Sequence, residues 1–538
     1  MKTIELLIPE LSQAIQVLME GLQRQPSSQE PSETEVMIHV DEIAAKIARF
    51  YEQIRNIVDY QEEHLLRKNS IRRALQRELF FRSSDNRSIA ESLIREIIRS
   101  GHLPNDRIPE TRIADVEQIL GTLSILLDRT HQITSPIERQ ELSEWLIRVT
   151  SCAIEETLDP PLKDRLMAAT MFRALNDRLV IKGEDVTDND RIAQLFIAVQ
   201  KTLLNVDDDQ LAYRFLKFMY PYWDNPNPIQ LDGMANNLSQ LKLSVVAYTH
   251  DPLRNHFFKL CSHYNTLFLL LGDAIWSTPS FRADSATLFN NPHTLEQAIG
   301  EAYQKRYRAQ KRHLRRLAFF SIISLFITKV LIALAIEIPI DRWFTHEFSL
   351  TATVLNIFFP PILMFIILML IHLPSKRNVA IVQQEIRSTV YEGERKEYLM
   401  VIPKEKRRWN QGIVQLIYGL LSVVVLSGLL KILFSLDFSI ASAVVFVLFT
   451  SIVAATGVKV HNRSKELSVE PERASLRWFV ADVLFTPFVT IGKYTMAGLS
   501  KFRFLVILIN LIDMPLLVFF QFLENFNVFI RSKKDEVH

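Results

Sequence analysis

Lys329 places an ammonium near the middle of an apolar run, Leu317–Ile338. An ionisable group at membrane depth costs a few kcal/mol or more, so it marks a candidate site for an ion, a proton or a charged substrate. Glu337, eight residues on, falls on roughly the same helical face. Asn356 and Gln415, in or beside later apolar runs, are the other polar groups able to meet Lys329. The plainer alternative is a lysine that snorkels to the interface or pairs structurally inside a helix bundle. Lys431 lies close to the end of its own run and fits snorkelling. Pro360 and Pro361 remove two successive backbone N–H groups from another run, which predicts a break or kink there. Helix breaks line some transport paths, and elsewhere neighbours merely re-satisfy the backbone.

A second set of reactive types gathers upstream: His250, Asp251, His256, Cys261 and His263 fall within 14 residues. Imidazole, carboxylate and thiolate are metal ligands, and His250-Asp251 resembles the paired ligands of metal-dependent phosphohydrolases. On a helix His256 and His263 share a face while Cys261 points elsewhere, and the further ligands such enzymes need are not identifiable. Asp251-Pro252 reads as a capping turn, so no metal is assigned. Asp207-Asp208-Asp209 and the run 184–190 are acidic but lack the glycine and distal glutamate of a calcium loop, which leaves helix capping. The chain has no phosphate-cradling glycine loop, nucleophile elbow, zinc-protease helix or dinucleotide fingerprint. No cofactor is predicted.

These residues need long helices to position them. The chain has 538 residues, with 62 Lys and Arg against 60 Asp and Glu, which excludes a globally basic nucleic-acid binder and an acidic tail protein. Its 14 glycines compare with the roughly 38 of average usage, so tight turns are few and helices are favoured over sheets. Two cysteines, Cys152 and Cys261, exclude a disulfide framework and multi-cysteine metal sites. The long apolar runs are confined to the last 220 or so residues. The fold class predicted is all-α: a cytosolic multi-helix domain, a bundle of four transmembrane helices, and C-terminal interfacial or re-entrant helices.

Residues 1–25 form an amphipathic helix through Leu7, Leu11, Ile15, Leu18 and Leu22. Glu5, Glu10 and Glu20 exclude a secretory signal, so a helix docked on the protein body is expected. Residues 26–36 are polar and proline-broken and read as a linker. The cytosolic domain, 37–300, carries helical stripes: Ile43, Ile47, Phe50, Ile54 and Val58; Val116, Ile119, Leu120, Leu123, Leu126 and Leu127; and Ile192, Leu195, Phe196, Val199 and Leu203. Helix starts are predicted at Ser135, with Pro136 in the first turn, and at Asp207 or Asp208. No convincing strand and no solenoid repeat is legible.

Residues 47–75, from Ile-Ala-Arg-Phe-Tyr-Glu-Gln-Ile-Arg through Asn-Ser-Ile-Arg-Arg-Ala-Leu, read as a long charged amphipathic helix with acids and bases in i,i+4 pairs. This stretch, 29 residues of 538, resembles a segment of large uncharacterised membrane proteins from small-genome candidate-phylum bacteria. The resemblance implies a bacterial origin and no activity.

A basic juxtamembrane helix, 301–316, leads into four spans at 317–338, 351–372, 413–434 and 439–457, each with enough apolar residues to cross a ~30 Å hydrocarbon core. Lys305, Arg306, Arg308, Lys311, Arg312, Arg315 and Arg316 precede the first span. The loop after the second carries nine bases between Lys376 and Arg408, and Lys459, Arg463, Lys465, Arg473 and Arg477 follow the fourth. The other two loops hold only Arg342, so both termini are predicted to be cytoplasmic, in a plasma (inner) membrane. The bases fit topology and anionic lipid headgroups; no reading module for nucleic acid accompanies them. In the C-terminal part, 458–538, the apolar stretch Trp478–Ile491 is short and holds Pro487. Phe504–Phe529 bears the polar stripe Asn510, Asp513, Gln521 and Glu524, so in-plane or re-entrant helices are favoured over a final spanning hairpin.

The function expected is recruitment or organisation of protein partners by the cytosolic domain. A transporter or channel subunit with a path near Lys329 is the first alternative, and a membrane-tethered metal-dependent hydrolase the second.

Overall fold

A computed structural model of the chain describes residues 11–23, 36–40, 63–81, 85–133, 135–183, 186–277, 285–334, 338–339, 342, 349–370, 377–391, 398–402, 408–464 and 485–495. The described residues are helical apart from two short strands and connecting turns. They divide into two packed units, one of residues 13–180 and 186–265, the other of 11–12, 181–183 and 266–495.

The first unit contains α1 (Gln13–Gln23), α2 (Glu63–Phe81), α3 (Asn86–Arg99), α4 (Thr111–Thr130), α5 (Pro136–Leu158), α6 (Leu162–Asn176), α7 (Asp188–Leu203), α8 (Asp208–Met219), α9 (Pro228–Asn236), α10 (Leu238–His250) and the start of α11 (Arg254–Ser277). Their ends follow local chemistry. The Ser135 hydroxyl accepts the Glu138 N–H at 3.4 Å, with Pro136 in the first turn where a missing donor costs nothing. Asp207 and Gln210 form a reciprocal cap on α8: Asp207 accepts the Gln210 N–H at 2.9 Å, and Gln210 accepts the Asp207 N–H at 3.4 Å. Helix α3 stops at Gly101, whose φ of 81° is open to glycine without strain, and the His102 N–H then returns to the Ile97 carbonyl.

The predicted stripes lie inward. Val116, Ile119, Leu120, Leu123 and Leu126 on α4 are buried, as are Leu195, Val199 and Leu203 on α7. Each such side chain contributes ~1.5–3 kcal/mol on leaving water. Helices α2, α3, α4, α5 and α8 share one continuous core with α9 and α10. Helix α1 docks against α6 through buried Ile15, Leu18 and Leu22, the docking expected of it. The stripe from Ile43 to Val58 lies outside the described residues, and of residues 47–75 only 63–75 are described, as part of α2.

In the second unit, α12 (Ser285–Phe289) precedes α13 (Pro292–Ile332), a helix of 41 residues. Then follow α14 (Leu350–Leu370), α15 (Arg377–Val390), α16 (Arg408–Ser435), α17 (Ile440–Ser464) and a helix over 485–495, α18. Three helices among the described residues are long and apolar enough to cross a membrane, at Leu350–Met369, Leu416–Ser435 and Ile440–Val458. The first expected span, 317–338, runs in α13 as far as Ile332, and the stretch after it is only partly described.

The second packed unit takes in α11 from residue 266 onward, where Asp273 accepts the Arg306 guanidinium of α13 at 2.7 Å. Two expectations are corrected. Strand β1 (Leu179–Gly183) pairs with β2 (Tyr398–Ile402) in a two-stranded sheet, where no strand was expected; five residues are too few for alternation to register. Helix α14 runs without interruption through Pro360 and Pro361. The two prolines withdraw donors from the carbonyls of Asn356 and Ile357, and the remaining helical bonds carry the helix across the gap.

Candidate functional site: a lysine buried between apolar helices

Lys329 lies on α13, which packs against α14 and α17. Lys329 is fully buried, with its Nζ 4.7 Å from the centre of the Phe449 ring on α17. Cation and ring attract through the ring quadrupole, by up to ~2 kcal/mol when water is excluded. Phe449 is the middle residue of the apolar segment Ile440–Val458, so the ammonium sits at mid-depth of that segment. A snorkelling lysine would send its charge toward an end instead. Lys329 is therefore held inside the helix group.

Asn356 on α14 is also fully buried, and its Nδ2 donates to the Ser442 carbonyl of α17 at 3.3 Å. One turn on, Phe359 packs on Phe446 with centroids 4.9 Å apart, and further along Ile367 lies against Gly457. The three pairs rise together in number, so α14 and α17 run parallel. Pro360 and Pro361 are buried one turn beyond Asn356 and contribute no backbone N–H to the helix there. On α17, the buried hydroxyls of Thr450 and Ser451 have no hydrogen-bond partner among the described residues. Gly492 of α18 seats against the Ser451 carbonyl and the Ala455 methyl group, where a Cβ would collide with both. Along the apolar segment of α17, the Asn356 carboxamide thus meets the beginning, at Ser442, while the Lys329 ammonium and the Thr450 and Ser451 hydroxyls fall near its middle. Glu337 and the side chain of Gln415, the other expected partners of Lys329, lie outside the described residues, as does Phe504–Phe529.

A second polar cluster lies in the helical unit, where the sequence offered only disconnected charges. Lys68 of α2, 3% exposed along its side chain, pairs with Asp207 and with Asp209 at 3.2 Å. Arg148 of α5 reaches Asp209 at 3.1 Å, and Arg67 pairs with Asp159. Burial opposes the charge on Lys68, but its neighbours outweigh it and its pKa lies above the ordinary value. Cys152 beside it stays a neutral thiol, because burial pushes its pKa well up. Glu155, pushed by burial to about 7, accepts Gln210 Nε2 at 3.4 Å. Glu156 is held below its usual range, since Arg214 and Arg165, each at 2.6 Å, overcome its burial. This is a full ionic junction between α2, α5 and α8.

The histidine-rich stretch is not drawn together. Asp251 Oδ1 accepts the Leu253 N–H at 2.7 Å, the capping turn expected of it. His250 Nδ1 lies 3.1 Å from both the Thr249 hydroxyl and the Val246 carbonyl, and the His263 ring meets Tyr264 edge-on. Cys261 is fully buried, and burial raises its thiol pKa. Among the described residues no three His, Cys, Asp or Glu side chains are grouped to hold a metal ion. Asp207 caps α8, with Asp208 and Asp209 in its first turn, and the three pair with Lys68, Lys201 and Arg148 respectively. Compared with known proteins, the chain matches no family model, no curated protein and no solved structure.

Proposed function

We propose that this chain is a multi-pass protein of the plasma (inner) membrane, with both termini cytoplasmic, whose cytosolic helical region recruits or organises protein partners. Membrane residence is supported by α16: only 6% of its apolar window, Leu416–Ser435, is buried by the protein. Leu416, Leu420, Val423, Val424 and Ile432 all face outward, a surface suited to lipid tails and costly in water. The parallel course of α14 and α17 fits a return crossing by α16 between them. The first span of the proposed four is the 317–338 segment that holds Lys329.

One observation carries the recruiting role. Helix α10 buries Leu241, Val245 and Thr249 on one face, yet presents Leu243 and Val246 on another, at 61% and 42% exposure. Ser239 donates to Glu138 at 3.1 Å and Lys242 pairs with Glu141 at 3.2 Å, which sets this face beside exposed Ile137 at the start of α5. Apolar surface on more than one element is the anchor that protein interfaces use. The test is a gentle-detergent pull-down of the tagged full chain from its native cells, beside Leu243→Asp/Val246→Asp. A stoichiometric partner lost in the variant supports recruitment; a partner retained unchanged by the variant, or no partner at all, counts against it.

The mid-depth ammonium of Lys329 favours a second reading, a transporter or channel subunit with a path past that residue. Ion flux in liposomes tests it: flux abolished in folded Lys329→Leu supports a path, and no flux with the parent protein excludes one for the ions tried.

A further inference from the structure

Helix α13 is divided lengthwise. Along the stretch 301–312, Ala302 and Tyr303 are buried, Tyr303 accepts Asn378 Nδ2 at 3.1 Å, and Arg306 is held by Asp273. Lys305, Arg308, Lys311 and Arg312 point away from that packed side and are exposed. Lys305, Arg308 and Arg312 fall at helical spacings of three and four and line one stripe, with Lys311 at its border. Glu301, exposed and bonded by Gln297 at 3.1 Å, closes the stripe at its far end. The same helix continues unbroken toward the apolar residues that begin at Leu317.

We propose that this stripe is a rigid docking surface for the phosphate headgroups of anionic lipids, with Lys311 and Arg312 making direct contact. The inference rests on the membrane reading above and adds which bases bind. Charge complementarity selects the occupant, and continuity of the helix sets the depth. At 1.5 Å per residue, Arg312 stands about 8 Å and Lys311 about 9 Å before Leu317 along the axis. The headgroup layer extends roughly 5–8 Å beyond the hydrocarbon, so the long side chains of these two bases reach into it. Arg308 and Lys305 stand about 14 and 18 Å out and act through the screened field. Arg306, though basic and adjacent in sequence, takes no part because Asp273 occupies its guanidinium.

The test uses the purified full chain in neutral detergent, with thermal unfolding followed while phosphatidylglycerol or phosphatidylcholine is titrated in. Phosphatidylglycerol is expected to raise the midpoint saturably and phosphatidylcholine to leave it nearly unchanged. Lys311→Gln/Arg312→Gln should require about tenfold more phosphatidylglycerol for the same shift, and Lys305→Gln/Arg308→Gln less than threefold. Equal responses to the two lipids, an unchanged dose in Lys311→Gln/Arg312→Gln, or the reverse order of the two variants overturns the proposal. A chain that stays dispersed without detergent and responds to neither lipid refutes the membrane reading itself.

Discussion

The Lys329 ammonium lies 4.7 Å from the centre of the Phe449 ring, halfway along the apolar segment of α17. The two residues form a coupled pair: Phe449→Leu is expected to destabilise the parent by about 1–2 kcal/mol and Lys329→Met by less than additive logic demands when the two are combined. Thermal or denaturant unfolding of the four proteins in one detergent gives the coupling energy. A value indistinguishable from zero would dissolve the pairing.

Glu155 makes the helical unit sensitive to pH. Its folded pKa of about 7 lies above the ordinary 4.5, so the folded protein holds this proton more tightly than the unfolded chain does. The associated stability is complete below about pH 4.5 and is lost as pH rises through 7. Over that window the loss is up to about 3 kcal/mol, and Glu155→Gln should flatten it and leave the variant more stable than the parent at pH 8. Melting of both proteins at pH 5, 6, 7 and 8 is the check. A parent curve that rises toward pH 8, with the variant parallel to it, would contradict this assignment.

Lys68 holds two carboxylates together, so its removal should cost more than a surface charge. Lys68→Met is expected to destabilise the helical unit by about 3 kcal/mol, because Asp207 and Asp209 lose a buried counter-charge. Lys201→Met, whose partner Asp208 is largely exposed, should change stability by less than 1 kcal/mol. Hydrogen exchange along α2 and α8 would locate the difference.

Gly492 and Gly419 separate close packing from mere glycine content. A Cβ at Gly492 meets the Ser451 backbone, whereas one at Gly419 meets nothing within 4 Å. Gly492→Ala should loosen α18 from α17, with a loss of 2 kcal/mol or more (~2–4 as an order of magnitude), while Gly419→Ala stays within about 1 kcal/mol of the parent. A cysteine pair placed across the α17–α18 contact, crosslinked in membranes, should lose its yield only in Gly492→Ala.

Helical identity and capping were readable because they are local. Ser135, Pro136 and Asp207 act within one turn of themselves, and stripes such as Val116 to Leu126 repeat at the helical period. The junction around Lys68 was not readable. Lys68 and Asp207 stand 139 residues apart, and their pairing exists only once α2, α5 and α8 pack. The charged face of α2 and the aspartate run at 207–209 were each visible, but nothing local indicated that they meet. The midpoint burial of Lys329 was half legible: its place in the apolar run came from sequence, and the Phe449 ring beneath it came from packing. Pro360 and Pro361 read as a break because propensity counts each lost donor, whereas the apolar helices around α14 supply compensating contacts that propensity ignores.

The parallel course of α14 and α17 bears on biosynthesis. Asn356 and its acceptor, the Ser442 carbonyl, are 86 residues apart, and α16 lies between them. During translation, α14 emerges long before Ser442 exists, so under the membrane reading proposed above its carboxamide is inserted before this acceptor has been made. The contact between α14 and α17 consequently cannot form until α17 has been made. A nascent chain stalled before residue 442 should therefore remain accessible to quality-control proteases at α14, and one released after α17 should not.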